Sequence, residues 1–255
     1  MKLAACLFCF TVFFYGCAGI KPYDSSQKRC INVSGRNQDK IVVNIDRDFE
    51  YVPEGWPMGL SVGQTDAVGL STKSYEILVK EPAYISSQVL YGYIPIGNSS
   101  DNKISFVIDN LEQEAWTMYV DLNNNNDLSD DGPPLRNQGT GRLAASISLN
   151  VDIITSSGEI IQRPYTLWFW VNVQNGKKIP RFYSRCYYKG CIAIEGKEYT
   201  SVAFEMFKHD ALYRESGLWI DLDNNGKLDK DKEHFNDGSV VSLNGRKYHL
   251  RLNYP

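Results

Sequence analysis

Short runs rich in β-branched and aromatic residues, separated by clusters of Gly, Asn, Asp and Ser, recur along most of the chain and predict β-strands. Residues 41–45 form one such run, and the 16 tyrosines also favour strands over helices. No stretch sustains the spacing of three and four residues that an amphipathic helix requires. The longest helical candidate, residues 112–118, would be barely two turns. The pattern therefore predicts a mainly β protein.

Two pairs of these runs are separated by turn residues and predict β-hairpins. The first hairpin would pair residues 149–154 with residues 165–171. The second would pair residues 240–243 with residues 248–252 around Asn244-Gly245, a dipeptide that favours two-residue hairpin turns. Both hairpins predict antiparallel sheets.

One order of elements occurs twice in the chain. Residues 92–97 (GYIPIG) are echoed by residues 190–196 (GCIAIEG), and each segment leads through further strand-like runs to a loop rich in Asp and Asn. A predicted hairpin follows each loop. The period is too long for a solenoid. It predicts two homologous, sandwich-like antiparallel β modules, each with its loop at the end of a strand.

The N-terminal residues have the features of an export signal. Lys2 precedes an apolar run over residues 3–14 that is too short to span a membrane comfortably. Residues 14–17 (FYGC) resemble a bacterial lipobox, so Cys17 is the candidate for lipidation; secretion without a lipid and a retained anchor are the alternatives. The predicted segments are a signal peptide (1–17), a polar tether (18–39), module 1 (40–155, loop 121–131) and module 2 (156–255, loop 221–233).

Oxygen-bearing side chains alternate with spacers in both loops, which is the pattern of an EF-hand-like calcium loop. A hard cation needs about six to eight oxygen ligands, and a sharp turn at position six lets the odd positions converge on it. Gly226 and Asn126 stand at position six, and both residue types tolerate a left-handed backbone. We therefore expect one Ca²⁺ in each loop. The predicted ligands are Asp121, Asn123, Asn125 and Asp127 in the first loop, and Asp221, Asp223, Asn225, Lys227 through its carbonyl, and Asp229 in the second.

The ligand that closes each loop must differ from that of a full EF-hand, because position twelve holds Gly132 in one loop and Lys232 in the other instead of Glu. We predict that Asp131 and Asp231, both at position eleven, close the loops. Asp130, Asp229 and Glu233 remain alternatives. The interpretation without metal is a pair of turns in which Asp and Asn cap their own backbone. The first loop should bind more weakly, because amides replace carboxylates in it.

Three cysteines follow Cys17. In an oxidising compartment, Cys186 and Cys191 are expected to close a small disulfide loop, with Cys30 left unpaired. The alternative is that all three are reduced and buried.

Composition and motifs exclude several classes of function. The net charge is −3 and the Lys and Arg residues are scattered, so no nucleic-acid partner is expected. The sequence contains no GxSxG, HExxH or phosphate-binding glycine loop, and none of its histidines lies near a nucleophile motif. We therefore predict no enzymatic activity. The remaining enzyme alternative is a hydrolase with an unrecognised carboxylate pair.

A run of three large aromatic residues, Trp168-Phe169-Trp170, allows two interpretations. Alternation along a strand places both tryptophans on one face and Phe169 on the other. The run would be buried between the modules, or the tryptophans would be partly exposed as a platform for a carbohydrate or peptide.

Residues 120–133 and 220–229 resemble the loops of dockerins, although these loops lie far apart and no helix follows them. They are more similar to segments of exported, often lipid-anchored bacterial proteins in which strand-rich modules precede a thioredoxin-like domain. The resemblance implies calcium binding and a location in the cell envelope. We expect a protein in which calcium is structural and supports an interaction or scaffold role. Its expected partners are calcium and, through a lipid on Cys17, the membrane.

Overall fold

The computed structural model describes residues 30–33, 39–57, 60, 63–75 and 78–254. The predicted signal peptide and Cys17 lie outside these residues. The prediction of a mainly β protein is confirmed, because the described residues form four open sheets and one short helix, α1 (Ile45–Asp48). No described helix has the length and hydropathy of a membrane span.

The described residues form 17 strands, which are numbered in chain order. The first eight are β1 (Ile31–Val33), β2 (Lys40–Asn44), β3 (Glu50–Val52), β4 (Asp66–Ala67), β5 (Leu90–Pro95), β6 (Lys103–Asp109), β7 (Thr117–Val120) and β8 (Leu135–Arg136). The remaining nine are β9 (Ala144–Ile154), β10 (Ile160–Gln174), β11 (Lys177–Ser184), β12 (Tyr187–Ile194), β13 (Lys197–Phe204), β14 (Leu218–Ile220), β15 (His234–Phe235), β16 (Val240–Leu243) and β17 (Arg246–Asn253).

Four sheets form two packed pairs. In the first sheet pair, the sheet β5-β6-β7-β8 packs on the sheet β4-β11-β10-β9, and Phe106, Ile147 and Phe169 lie in the core between them. In the second sheet pair, the sheet β12-β13-β14-β15 packs on β16-β17-β2, with Ile192, Ile220 and Leu250 in its core. Strands β1 and β3 also pair with β12. The described residues therefore build two large hydrophobic cores, with two smaller clusters beside them.

The strand pairing does not follow the predicted division of the chain at residue 155. The hairpin β9–β10 crosses that position and lies within one sheet. Strands β2 and β3, from the predicted first module, join the C-terminal strands instead. Residues Ile31–Val33, within the predicted tether, form β1. Both predicted hairpins are present, but in the first one residues 150–154 pair with residues 160–164 and not with the predicted residues 165–171. Asn244 and Gly245 have φ of 50° and 77° at the turn of the second.

The two loop-bearing sheets, β5-β6-β7-β8 and β12-β13-β14-β15, share a register. Gly92 lies opposite Phe106, and Phe106 lies opposite Val120, the last residue before the first loop. Correspondingly, Gly190, Ser201 and Ile220 lie side by side before the second loop. Each glycine is required, because a Cβ would lie 2.1 Å from the ring of Phe106 or of Phe49 respectively.

The predicted disulfide is wrong. Cys191 is bonded to Cys30, and Cys186 is a buried free cysteine. Cys186 immediately precedes β12 and Cys191 lies within it, so the extended strand separates them by about 3.3 Å per residue. The parallel pairing of β1 with β12 instead brings Cys30 beside Cys191, with their Cα atoms 4.5 Å apart.

Candidate metal centre

Each predicted calcium loop connects two antiparallel strands of its sheet. Residues 121–131 lie between β7 and β8, and residues 221–233 lie between β14 and β15. The first residue of each loop is held by the neighbouring strand, since Asp121 donates its backbone N–H to Ser105 O and Asp221 donates to Thr200 O, both at 2.9 Å. The sheets therefore fix the position of both leading aspartates.

In the second loop, the buried carboxylate of Asp221 organises the turn. Its Oδ1 accepts the backbone N–H of Asn225 at 3.1 Å, and its Oδ2 accepts that of Gly226 at 3.0 Å. Gly226 has the left-handed φ of 74° that the turn at position six requires. Asp223 Oδ1 accepts from Asn225 N, and Asn225 Oδ1 accepts from Lys227 N. The side chains at loop positions one, three and five therefore accept hydrogen bonds from backbone N–H groups within the loop.

Glu233 closes the second loop. Its Oε1 accepts the backbone N–H groups of Leu222 (2.8 Å) and Asp223 (3.3 Å), while its Oε2 accepts that of Asp229 (2.8 Å). Carboxylate oxygens of Asp221, Asp223 and Glu233 all lie within 4.8 Å of one another. Asp221 and Glu233 are buried, with exposed fractions of 5% and 3%. The geometry favours Glu233, one of the alternatives from the sequence, over Asp231 as the closing residue.

The first loop has the same backbone course with fewer carboxylates. Asp121 accepts from Asn125 N (3.0 Å) and Asn126 N (2.8 Å), and Asn126 has a φ of 65°. Asp131 Oδ1 accepts the N–H groups of Leu122 (2.9 Å) and Asn123 (3.3 Å), as Glu233 does in the second loop. Asp131 therefore stands where the sequence places the closing ligand, and Asn123 takes the place of Asp223.

Two carboxyl groups of the first loop are shielded from solvent. Burial raises the pKa of Asp121 and of Asp131, and the negative charge of Asp121 adds to the rise at Asp131. Asp131 Oδ2 is buried and has no hydrogen-bond partner among the described residues. A cation would pair with this oxygen and lower both pKa values. The oxygen-only donor sets of both loops suit a hard cation such as Ca²⁺.

The other predicted ligands lie at the rim of the loops. Asp127 forms an ion pair with Lys80 at 3.2 Å, and hydrogen bonds from Ser129 lower its pKa. The exposed Asp229 accepts the backbone N–H of Asp231, which lowers the pKa of Asp229. Asp231 is itself exposed and is not part of the carboxylate cluster. At position seven, Lys227 could contribute only its backbone carbonyl.

The two tryptophans of β10 are half-buried on the outer face of their sheet, whereas Phe169 is fully buried, as the alternation predicts. Trp170 packs edge-on against Tyr183, with ring centres 5.7 Å apart, and Tyr183 packs in the same way against Trp56 at 5.6 Å. The rings of Trp56, Tyr183 and Trp170 therefore pack edge to face in a row.

Comparison with known proteins gives no match: no family model, no curated protein and no solved structure is significantly similar to this chain. The interpretation of the loops therefore depends on their own geometry.

Proposed function

We propose that this chain is a calcium-binding β protein of the bacterial cell envelope, in which Ca²⁺ is structural and supports an interaction or scaffold role. The observation that carries the proposal is the convergence of the Asp221, Asp223 and Glu233 carboxylates within 4.8 Å. None of the three takes part in an ion pair between described residues. Like charges held this closely repel unless a cation neutralises them.

The proposed role of the ion is to fix each loop between its two strands. The second loop offers three carboxylates. The first offers Asp121 and Asp131 with the amide oxygen of Asn123, all of which accept backbone N–H groups of that loop. Extracellular sites of this kind have Kd values on the order of 10⁻⁴ to 10⁻³ M. Such sites fill outside a cell and act as structural sites rather than as sensors.

We also infer that the two sheet pairs are homologous modules. The shared register of Gly92 and Gly190, each opposite a strand that leads to the loop, supports this inference. A further pair of contacts agrees: Asn124 donates its side-chain amide to Asp101 O, and Asn224 donates to Glu198 O. Under this inference, one module consists of residues 66–184, and the other combines residues 30–52 with residues 187–253.

The envelope location is part of the same proposal. The Cys30–Cys191 disulfide supports it, because disulfides form and persist in oxidising compartments. A lipid on Cys17 would attach the N-terminal end to a membrane; palmitate labelling of the exported chain, with Cys17→Ser as the control, tests this attachment.

Calcium titration of the chain from residue 18 on, which retains all the described residues, tests the proposed function. We expect two sites by calorimetry and a higher melting temperature in calcium than in chelator. At one hundred times Kd, a ligand stabilises the native state by about 2.7 kcal/mol. Asp221→Ala should remove one site and most of that response. Absence of binding at millimolar calcium would contradict the proposal and leave two Asx-rich turns.

A further inference from the structure

A cavity of about 370 Å³, widely open to solvent, lies where the first sheet pair meets the second. Tyr51 and Tyr188, from β3 and β12, line it on one side, and Gln162 and Arg163 of β10 line it on the other. Asp46, in helix α1, lies against the same space. None of these residues belongs to either loop. Ligand sites occur preferentially at such junctions, in cavities of roughly 300–1,000 Å³.

The carboxylate of Asp46 is held in a fixed orientation at this cavity. Arg163 donates from Nη2 to both carboxylate oxygens at 3.0 Å, and the hydroxyl of Tyr188 donates to Oδ1. The side chain of Arg163 is 5% exposed, whereas that of Asp46 remains 38% exposed. The buried guanidinium of Arg163 thus holds the partly exposed carboxylate of Asp46 at the cavity.

The guanidinium of Arg163 is held by contacts beyond its ion pair with Asp46. Its Nη1 donates to Ala211 O at 3.0 Å, and its guanidinium carbon lies 5.5 Å and 5.6 Å from the ring centres of Tyr51 and Tyr188. The hydroxyl of Tyr51 donates to Pro164 O at 2.7 Å, which fixes the ring against the cavity. A buried ion pair is weak evidence for stability. Binding sites require polar groups whose orientation is fixed by such supporting contacts.

The chemistry of the lining defines the class of ligand. Asp46 and Arg163 neutralise each other, so the cavity does not select a charged molecule. The carboxylate oxygens retain lone pairs for hydroxyl donors, and the exposed side chain of Gln162 offers both a donor and an acceptor. The exposed part of the Tyr51 ring, which also packs against Arg163, provides an apolar surface beside them. A molecule with hydroxyl groups around its edge and C–H groups on its face satisfies all three features.

We propose that this cavity binds a neutral saccharide ring. In the bound state, Asp46 accepts hydrogen bonds from ring hydroxyls, Gln162 binds a further hydroxyl at the rim, and the ring of Tyr51 packs against the C–H face of the sugar. The proposed site shares no residue with either calcium loop.

Amide NMR titration of the chain from residue 18 on, in calcium, tests the proposal with glucose, galactose, mannose and N-acetylglucosamine as probes. We expect at least one sugar to cause saturable shifts at Tyr51, Gln162 and the Arg163 side chain, with a roughly millimolar Kd for a ligand of this size. This measurement uses the unaltered chain and requires no variant to fold. Each sugar is added to tens of millimolar, at least 100 times the protein concentration. If none of the four shifts these signals, the proposal is overturned.

Matched variants locate the site. Tyr51→Val removes the ring and should weaken binding by about tenfold or more, whereas Tyr51→Phe keeps the ring and should bind nearly as well as the parent. Gln162→Ala should weaken binding several-fold without a change in melting temperature. Trp168→Ala, on the outer face of the sheet, should have no effect. If Trp168→Ala abolishes binding and Tyr51→Val does not, sugars bind the outer tryptophans and this cavity is not the site.

Discussion

Asp131 and Glu233 occupy the same place in their two loops, because each accepts the backbone N–H groups of the second and third loop residues through one carboxylate oxygen. Asp131 is the eleventh residue of its loop and Glu233 is the thirteenth. The longer side chain of Glu reaches back across the two additional residues. The two loops therefore share the same hydrogen bonds although their acidic residues stand at positions eleven and thirteen.

This equivalence predicts which acidic residue is needed for calcium in the second loop. Glu233→Gln keeps the size of the side chain but removes its charge, and should abolish tight binding at that loop and lower the melting temperature in calcium. Asp231→Asn should bind calcium as the parent does, because Asp231 is exposed and lies outside the carboxylate cluster. Calorimetry on the two variants separates these outcomes. Loss of binding in Asp231→Asn alone would restore position eleven as the closing ligand.

The difference in carboxylate number predicts the order of affinity. The first loop has Asn123 where the second has Asp223, so it should be the weaker site. Asn123→Asp should tighten the first site several-fold, and the reciprocal Asp223→Asn should weaken the second by a similar factor. Calcium titration followed by NMR assigns each affinity to its loop. If both exchanges leave the affinities unchanged, charge at position three does not set the order.

Glu205 predicts that stability falls as the pH rises from about 4.5 to about 8. This fully buried carboxyl is hydrogen-bonded to the hydroxyl of Tyr165 at 2.5 Å, and burial raises its pKa from 4.5 to about 8. The folded state therefore retains a proton that the unfolded state releases near pH 4.5. Its contribution is fully present below that pH and is lost as the pH rises through about 8, by at most about 1.4 kcal/mol per pH unit.

Glu205→Gln tests this linkage, because glutamine has nearly the same shape and does not ionise. Melting temperatures measured between pH 5 and pH 9 should fall less steeply for the variant than for the parent. Parallel pH profiles would show that Glu205 ionises in the folded state as it does in water.

The disulfide predicts distinct thiol counts. In denaturant, the chain from residue 18 on should show one free thiol, that of Cys186. Cys30→Ser should show two, because it releases Cys191, and should lower the free energy of unfolding by about 2–5 kcal/mol. A count of zero in Cys30→Ser would mean that Cys186 and Cys191 are bonded instead.

Features encoded by neighbouring residues were predictable from the sequence. The strand-rich composition, both hairpins and the position of each loop at the end of a strand follow from alternation and turn residues. The leading aspartates and the turn at position six follow from the spacing within each loop. Each of these features depends on residues only a few positions apart.

Features set by distant contacts were not predictable in the same way. Nothing near Cys30 indicates that β1 runs parallel to β12, and nothing in residues 40–44 indicates that β2 pairs with β17. Glu233 was an alternative rather than the expected ligand because its place depends on how far the loop extends before β15 begins. The cavity at Asp46 was missed because Arg163, which orients it, lies 117 positions away.

The bond between Cys30 and Cys191 joins residues 161 positions apart, and every strand from β1 to β11 lies between them. These residues form a closed covalent ring. A protease that cuts a surface turn inside the ring, such as the one at Gly158, would open the ring without releasing a fragment. The two pieces of the nicked protein would stay linked, heavier by one water molecule, until the disulfide was reduced, so the first sheet pair is covalently retained even after its chain is broken.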